Sequence, residues 1–497
     1  MRVLFVYPNI HGMNMLPPAI GLFTSLLRSQ GHIVDLFDST NWIIPEEEFD
    51  SDKEKEKILT VRPFNDAKLW TEVRRSDVGV DFRAKVNAFS PDLLAFSITE
   101  DIFPVAQLLL KNLAGLNIPV IMGGVFATFA PEICLRQPEV DMVCVGEGEA
   151  VMSELCRRLD LGQKYDDIPG LWTKGPLGIR TNPLGPPVEF SDNPRIDLSL
   201  FEESRLYRPM QGRIWRMLPV ETHRGCPYQC TYCNSPAQQR LYHGETRKSF
   251  FRQKRFDAIH EELLYYKNDL KAEAFYFWAD TFLAYTDRDF DAFCEIYQDI
   301  RLPFWCQSRP ETLRRDRVQR LMDLGMFRMA FGIEHGNEEF RKRVLRRNVS
   351  NEVMVRNFAM LNELDLKFSV NNIMGFPTET RELAFDTIEL NRHVHADSAN
   401  AYSFSPFHGT VLRKMSEDLG LCDKDLIARS VMKPTLLNMP QFPPQAIEGL
   451  RRCFTLYVRM PKDRWPEIKR AEALTPEGDL IWQALRDECL AKYVNFD

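Results

Sequence analysis

Three cysteines in this 497-residue chain stand at a spacing that can do chemistry. They lie in Arg224-Gly225-Cys226-Pro227-Tyr228-Gln229-Cys230-Thr231-Tyr232-Cys233-Asn234, a Cys-x3-Cys-x2-Cys pattern. Three thiolates can hold three irons of a four-iron four-sulfur cubane, which leaves the fourth iron open for a small chelating ligand. Zinc is the alternative. A structural zinc takes four ligands, and no fourth cysteine or histidine lies at finger spacing, although His223 and His243 are near. At this cysteine content, chance would produce the pattern in roughly one chain in two hundred.

Such a loop needs a framework. Strand and helix signals alternate around it and downstream. Strands are expected at residues 218–222, 275–278, 304–307, 329–333, 368–374 and 401–405. Helices are expected at 258–266 and at 313–324, the second stopped by Gly325. Six such units over residues 217–415 predict a partial (β/α)6 barrel. Barrels place chemistry at strand carboxyl ends. Those ends carry Asp280, Arg309 and Glu334, then Gly375-Phe376-Pro377 and the stretch from Pro406 to Thr410. The bland reading of each is a structural ion pair or a helix cap.

Residues 1–175 alternate in the same way. Strands are expected at 2–7, 34–37, 92–97, 118–122 and 141–145. A helix after Pro17-Pro18 puts Ile20, Phe23, Leu26 and Leu27 on one face and stops at Gly31; others cover 102–113 and pass through Leu155 and Leu159. Strands separated by single helices predict a doubly wound, Rossmann-like parallel sheet. Ligands of such sheets sit beyond the strand carboxyl ends. Here those ends hold Asn9 to Asn14, Asp38 to Thr40, Ser97 and Thr99, Gly123, Gly124 and Thr128, and Gly146, Glu147 and Gly148. Glycines there admit a large ligand close to the backbone, or are simply tight turns.

Residues 43–90 interrupt this unit with mixed-charge runs, Glu46-Glu47-Glu48 and then 53–57, and read as a solvated helical insertion. Residues 176–216, rich in Pro, Gly and Asn, read as a linker packed across both domains. Residues 416–497 read as a helical region with Leu450, Phe454, Trp465, Ile481, Trp482 and Leu485 as its core.

A net charge of −7 argues against a nucleic-acid partner, although a local basic groove stays compatible with it. No apolar run is long enough to span a bilayer, and Met1 to Tyr7 reads as a core strand rather than an export signal. A cytoplasmic setting is expected. There the 11 cysteines stay reduced, and a cluster is a better expectation than disulfides. Cys294, Cys306, Cys422, Cys453 and Cys489 have no ligand spacing and read as core residues.

These residues carry a family resemblance. Residues 1–175 resemble the cobalamin-binding domain found upstream of radical S-adenosylmethionine domains. The matching stretches are Pro17-Pro18-x-x-Gly21, Gly31-His32-x-Val34, Gly123 to Thr128, Pro131-Glu132, Gly146 to Glu149, and Ile168-Pro169-Gly170-Leu171. Two departures matter. Phe126 stands where the family often has histidine. The Asp-x-His-x-x-Gly motif that supplies a histidine to cobalt in another cobalamin group is also absent; Asn9-x-His11-x-x-Asn14 is its nearest trace. No histidine on cobalt is therefore expected. The cysteine spacing, with aromatic Tyr232 before the last cysteine, is similar to that of the radical S-adenosylmethionine superfamily. So is Gly375-Phe376-Pro377-Thr378-Glu379-Thr380, in which Thr378 can equally be a helix N-cap. The resemblance covers residues 1–415.

What the resemblance implies is specific. Cys226, Cys230 and Cys233 would hold the cluster, and S-adenosylmethionine would chelate the open iron. Tyr232, Asp280, Arg309 and Glu334 fall where relatives contact S-adenosylmethionine. Asn9, Ser97, Thr99, Gly123, Gly124, Thr128, Gly146, Glu147 and Gly148 would contact cobalamin, as methylcobalamin or hydroxocobalamin. A deoxyadenosyl radical can take hydrogen from a carbon with no acidic proton, which acid–base side chains cannot do. The leading expectation is a methyltransferase acting at an unreactive carbon or at phosphorus of a small molecule or peptide. A cyclase, ring-contracting enzyme or oxidase with the same cofactors is the alternative, and a non-catalytic cobalamin or electron-transfer module is a third. Flavodoxin or ferredoxin is the expected electron donor. No side chain is identifiable as a substrate acid or base.

Overall fold

The computed structural model describes residues 1–13, 15–45, 51–65, 73–176 and 178–494. Asn14 and the Glu46-Glu47-Glu48 run lie outside the described residues.

The first sheet contains β1 (Arg2–Tyr7), β2 (Ile33–Asp38), β3 (Leu93–Ser97), β4 (Val120–Gly123), β5 (Met142–Cys144), β6 (Leu171–Gly175) and β7 (Gly178–Arg180), in the order β2-β1-β3-β4-β5-β6-β7. The first five strands are parallel. Alternate side chains enter two cores. Val3, Phe5 and Ile121 pack with Ile20, Leu27 and Leu155, from the helices Pro18–Ser29 and Gly148–Asp160. Leu4, Val6 and Met122 pack with Phe82, Val86 and Leu109, from Val78–Phe89 and Phe103–Lys111. Burial on both faces explains why these strands read as nearly unbroken apolar runs. The chain turns one way from β1 to β2 and the other way to β3, so a crevice opens beyond the ends of β1 and β3.

Two expectations need correction here. β6 and β7 run antiparallel to their neighbours, so the sheet is mixed and continues past residue 175. The insertion is also shorter than residues 43–90. Val78–Phe89 is the regular crossover helix between β2 and β3, with Val78, Phe82, Val86 and Phe89 in the core. The charged runs before it masked its apolar period.

The second sheet begins in the supposed linker. β8 (Tyr207–Met210) and β9 (Arg213–Glu221) form an antiparallel hairpin. A short ribbon pairs β10 (His223–Arg224) with β11 (Arg252–Gln253). Then follow β12 (Ala274–Trp278), β13 (Phe304–Ser308), β14 (Met326–Glu334), β15 (Lys367–Met374) and β16 (Ser398–Ser403). The order is β8-β9-β12-β13-β14-β15-β16, with the six strands from β9 onward parallel. This is the expected partial barrel, with one extra antiparallel strand. Residues 176–216 are thus no simple linker, because they hold β7, β8 and the start of β9.

Phe275, Phe277, Phe304, Phe331 and Phe368 point from this sheet into the helix layer and are buried. Beyond residue 415 the helices Pro444–Arg452, Phe454–Arg459, Trp465–Ala471 and Pro476–Lys492 pack on the barrel side of the molecule. Leu450, Phe454, Trp482 and Leu485 are buried there; Trp465 and Ile481 are half-buried. The insertion docks on these helices: Thr455 Oγ1 donates to Ile58 O at 3.0 Å, and Arg486 Nε to Lys57 O at 2.7 Å. Among the described residues, no helix is long and apolar enough to cross a membrane.

Candidate active site

The cysteine loop joins β10 to the helix Asn234–Thr246. Cys226 and Cys230 are buried, and Cys233 is half-buried. Each thiol meets a group near the barrel rim. Cys226 Sγ lies 3.6 Å from Thr281 Oγ1, just after β12. Arg309 Nη1, just after β13, donates to Cys230 Sγ at 3.1 Å. Cys233 caps the helix, accepting from Ser235 N–H at 3.4 Å. Burial pushes the thiols of Cys226 and Cys233 up. Three thiols with a guanidinium beside them fit a cluster held by three thiolates, because the cation offsets part of the thiolate charge.

Asp280 opens onto a cavity at the same rim. Ser235 Oγ donates to its Oδ2, and the protein around it pushes its carboxyl up. Arg309 is buried, and it is spent locally. Its guanidinium lies 3.8 Å from the Tyr228 ring centroid, and Nε donates to Glu311 Oε1 at 2.6 Å. Glu334 sits at the end of β14 with φ of 67°, a left-handed conformation that a non-glycine residue rarely adopts. Burial raises its carboxyl, while Arg347 Nη1 at 3.2 Å opposes that shift. The same Arg347 atom donates to Tyr232 OH at 3.3 Å. Tyr232, Glu334 and Arg347 thus form one cluster beside the cysteine loop.

The glycine–proline turn is locked from inside. Glu379 accepts from Gly375 N–H at 2.5 Å and Phe376 N–H at 3.0 Å, and faces His335 Nε2 at 3.2 Å. Thr380, not Thr378, caps the following helix Arg381–Val394.

The carboxyl edge of the first sheet faces this rim across a cavity of about 460 Å³. Ser97, Gly123, Gly124, Thr128, Gly146, Glu147 and Gly148 line one side; Pro219, Trp278 and Asp280 line the other. Trp278 is 38% exposed, and its accessible face looks into this space. Six carboxylates line the cavity against three lysine or arginine side chains. Gly124 has φ of 108°, and a Cβ there would lie 2.3 Å from Ile98 O, so the chain's own geometry demands glycine. Thr128 Oγ1 donates to Gly124 O at 2.9 Å and accepts from Gly146 N–H at 3.0 Å, tying two of the loops together.

Asn9 and Thr99 fall outside this lining. Asn9 is buried; its N–H donates to Ser39 Oγ and its Nδ2 to Thr40 Oγ1, each at 2.8 Å. Thr99 Oγ1 donates to Asp101 Oδ1 at 2.6 Å. Glu147 lines the cavity, but its carboxylate is engaged across the domain boundary. It accepts from Arg224 Nη1 at 2.6 Å and Arg252 Nη2 at 2.5 Å, and Arg224 also reaches Glu149 and Glu221. Burial would raise the Glu147 carboxyl, yet the two arginines hold it below the usual range. Tyr242 OH accepts from Glu147 N–H at 2.6 Å. A second clasp joins the domains at Glu100, which accepts from His408 and Ala428 N–H.

His408 lies in the strand-end stretch Pro406 to Thr410 that the sequence marked, whereas Arg224, Arg252, Trp278 and Arg347 were given no role by the sequence reading. Arg224 sits two residues before Cys226, and that adjacency was the available signal. Nothing local marks the others.

Comparison with known proteins completes the picture. A radical SAM superfamily model matches residues 220–390, and a B12 binding domain model matches residues 70–156. A curated protein called an uncharacterized methyltransferase, from Pyrococcus horikoshii, is 27% identical over 444 residues, covering 86% of this chain and 90% of its own. The anaerobic magnesium-protoporphyrin IX monomethyl ester cyclase of Rubrivivax gelatinosus is 24% identical over 477 residues, covering 91% of this chain and 77% of its own. Among solved structures, the radical S-adenosylmethionine methyltransferase TsrM from Kitasatospora setae superposes with a TM-score of 0.67 at 15% identity, covering 99% of both chains. The cobalamin-dependent S-adenosylmethionine radical enzyme OxsB superposes at 0.64 and 15% identity, covering 97% of this chain and 70% of its own. The fold is shared with both.

Proposed function

We propose that this protein, a radical S-adenosylmethionine enzyme with a cobalamin-binding domain, transfers a methyl group to an unactivated carbon or to phosphorus of a small molecule. One observation carries the reading: a single cavity spans from the glycine loops of the first sheet to the barrel rim beside the cysteine loop. Bound there, S-adenosylmethionine at the cluster supplies a deoxyadenosyl radical and methylcobalamin supplies the methyl group, chemistry that protein side chains lack.

The chain's own part is to hold and orient. Cys226, Cys230 and Cys233 would ligate the cluster, with Arg309 as counter-charge to Cys230. Asp280 would accept from an ammonium or ribose hydroxyl. Arg347 would keep Tyr232 and Glu334 in place beside them. Gly123, Gly124, Gly146 and Gly148, with Ser97 and Thr128, would let a bulky cobalamin lie against backbone. Arg224 and Arg252 would fix the distance between the two halves, and positioning of this kind is a large part of catalysis.

The methyltransferase reading is supported by the Pyrococcus relative and the fold shared with TsrM. The Rubrivivax relative favours a second reading, a cyclase with the same cofactors. A flavodoxin or ferredoxin as electron donor and a reducing cytoplasmic setting complete the proposal.

Anaerobic reconstitution with iron, sulfide and cobalamin, followed by product analysis, tests it. Deoxyadenosine with S-adenosylhomocysteine and methylcobalamin is the expected outcome. Deoxyadenosine without methylcobalamin, with substrate present, would favour the cyclase. Cys226→Ala should lower deoxyadenosine formation by at least about 10³-fold, because the chemistry belongs to the cofactor. Cobalamin binding should survive that substitution.

A further inference from the structure

We propose that an acidic electron-transfer protein docks on a cationic patch of the outer surface beside the cysteine loop and delivers electrons there; this rests on the reading of that loop as the cluster site. Two groups of basic side chains contrast. One lines a second cavity, of about 330 Å³, set against the barrel strands between the loop after β1, residues 55–64 of the insertion and the β8–β9 turn. Its Lys55, Arg62, Arg208 and Arg328 all have partners within the chain. The other group is Arg240, Lys342, Arg343 and Arg346, and all of these are exposed.

The patch is fastened to the cysteine loop at several points. The helix Asn234–Thr246, which carries Arg240, begins at Cys233, whose Sγ accepts from Ser235 N–H in the first turn. The other cations belong to the helix Glu338–Arg343 and to the turn that follows it. Thr231, between Cys230 and Cys233, binds that turn. Its N–H donates to Leu345 O at 3.2 Å and its Oγ1 to Val344 O at 2.7 Å. Arg347 reaches Tyr232 OH from the same turn. Leu345 and Arg347 are buried, while Arg346 between them is exposed, with a left-handed φ of 51°. The turn thus grips the loop with its inward residues and presents its outward one to solvent. A continuous route of covalent and hydrogen bonds leads from this surface to the thiols.

The charge of the patch is not balanced locally. Arg343 pairs with Glu339, an exposed contact of little worth. Arg240, Lys342 and Arg346 have no ion pair among the described residues. Burial, and then the nearness of Arg346, pulls Arg240 below its ordinary value, so these two guanidiniums repel each other. Like charges held together without an acid are unfavourable, and an acidic partner relieves them. The chain as a whole carries −7, so its net field repels an acidic protein, and the patch beside the loop is a local exception. Association steered by charge is fast and reversible, which suits a donor that must arrive and leave. Each encounter passes one electron: the reduced centre of the donor is oxidised by one electron as the cluster is reduced by one.

Deoxyadenosine formation by the reconstituted holoenzyme with S-adenosylmethionine, driven either by reduced flavodoxin as the acidic donor or by dithionite, tests the proposal. Combining Arg240→Gln, Lys342→Gln and Arg346→Gln should raise the flavodoxin concentration needed for half-maximal rate about tenfold at low salt. The dithionite-driven rate should not change. Arg240→Lys with Arg346→Lys keeps the charge and should behave as the wild type. High salt should slow the flavodoxin-driven wild type and erase its advantage over the triple variant, because exposed charges are screened within about 3 Å at 1 M. An unchanged flavodoxin requirement in the triple variant, or an equal loss with dithionite, would overturn the proposal. Calorimetric binding of oxidised flavodoxin needs no turnover and separates the two readings. Deoxyadenosine with dithionite but no flavodoxin binding rejects the docking surface and leaves the proposed function standing. Flavodoxin binding that depends on the patch, without deoxyadenosine under either reductant, does the reverse.

Discussion

The two cavities are built by opposite means. The first lies between the sheets, is lined by six carboxylates and three cations, and couples its most buried acids across the domain boundary through Arg224 and Arg252. Much of its surface is backbone, at Gly123, Gly124, Gly146 and Gly148. The second is walled by side chains and carries four cations against one acid. A space made of backbone and internally paired charge suits a large ligand recognised by shape. The second space, of about 330 Å³, is walled by side chains from the insertion, the β8–β9 turn and the barrel, a volume that suits a smaller ligand.

The largest effect that would break this contrast is at the domain joint. Arg224→Gln should destabilise the apoprotein by about 3 kcal/mol, because it strands the carboxylates of Glu149 and Glu221. Thermal unfolding under reducing conditions reads it. The pH dependence has a definite sign. The Glu147 carboxyl is held low in the folded protein, so its contribution is fully present above the ordinary carboxylate value of about 4.3. It fades as pH falls below that toward the depressed value. The wild-type protein should therefore lose more stability on acidification than Arg224→Gln does.

A smaller effect is expected at the backbone wall. Gly124 combines φ of 108° with ψ of −178°, a region that other residues barely enter. Gly124→Ala should cost about 1–3 kcal/mol and weaken cobalamin retention on gel filtration. Full stability with an alanine there would show that the loop adapts, and that backbone shape does not define the first cavity.

The smallest effect is at Asp280, and its direction is informative. Burial raises this carboxyl, so the folded protein favours its protonated form. Ionised Asp280 therefore disfavours folding increasingly as pH rises through its ordinary value toward the raised one. Asp280→Asn should leave the apoprotein Tm unchanged or slightly higher, while weakening S-adenosylmethionine binding about tenfold. A clear fall in Tm would mark Asp280 as structural and remove it from the site.

Legibility in the sequence followed the range of the forces involved. Strands and helices answer to local periods, so β1 to β5 and the six parallel barrel strands were readable within a few residues. The crossover helix Val78–Phe89 was missed because charged stretches before it suggested a single insertion, although Val78, Phe82, Val86 and Phe89 hold a helical period. β6 to β8 are short, lie among Pro and Gly, and run antiparallel, with β7 and β8 at sheet edges, so a parallel pattern gives no guidance. The rim positions of Asp280 and Arg309 were legible because both follow strand ends, but the contacts of Arg309 with Cys230, Tyr228 and Glu311 had no local signal.

By itself the sequence determined the cysteine spacing, the two alternations of strand and helix, and the glycines at the loop ends, since each depends on neighbours a few bonds away. Tertiary structure decided which charges meet. Arg224 finds Glu147 across 77 residues, and Arg62, in the insertion of the first domain, finds Asp397 just before the last barrel strand. Coulomb attraction depends on distance in space and on the water excluded between charges, and neither is written in the order of residues along a chain.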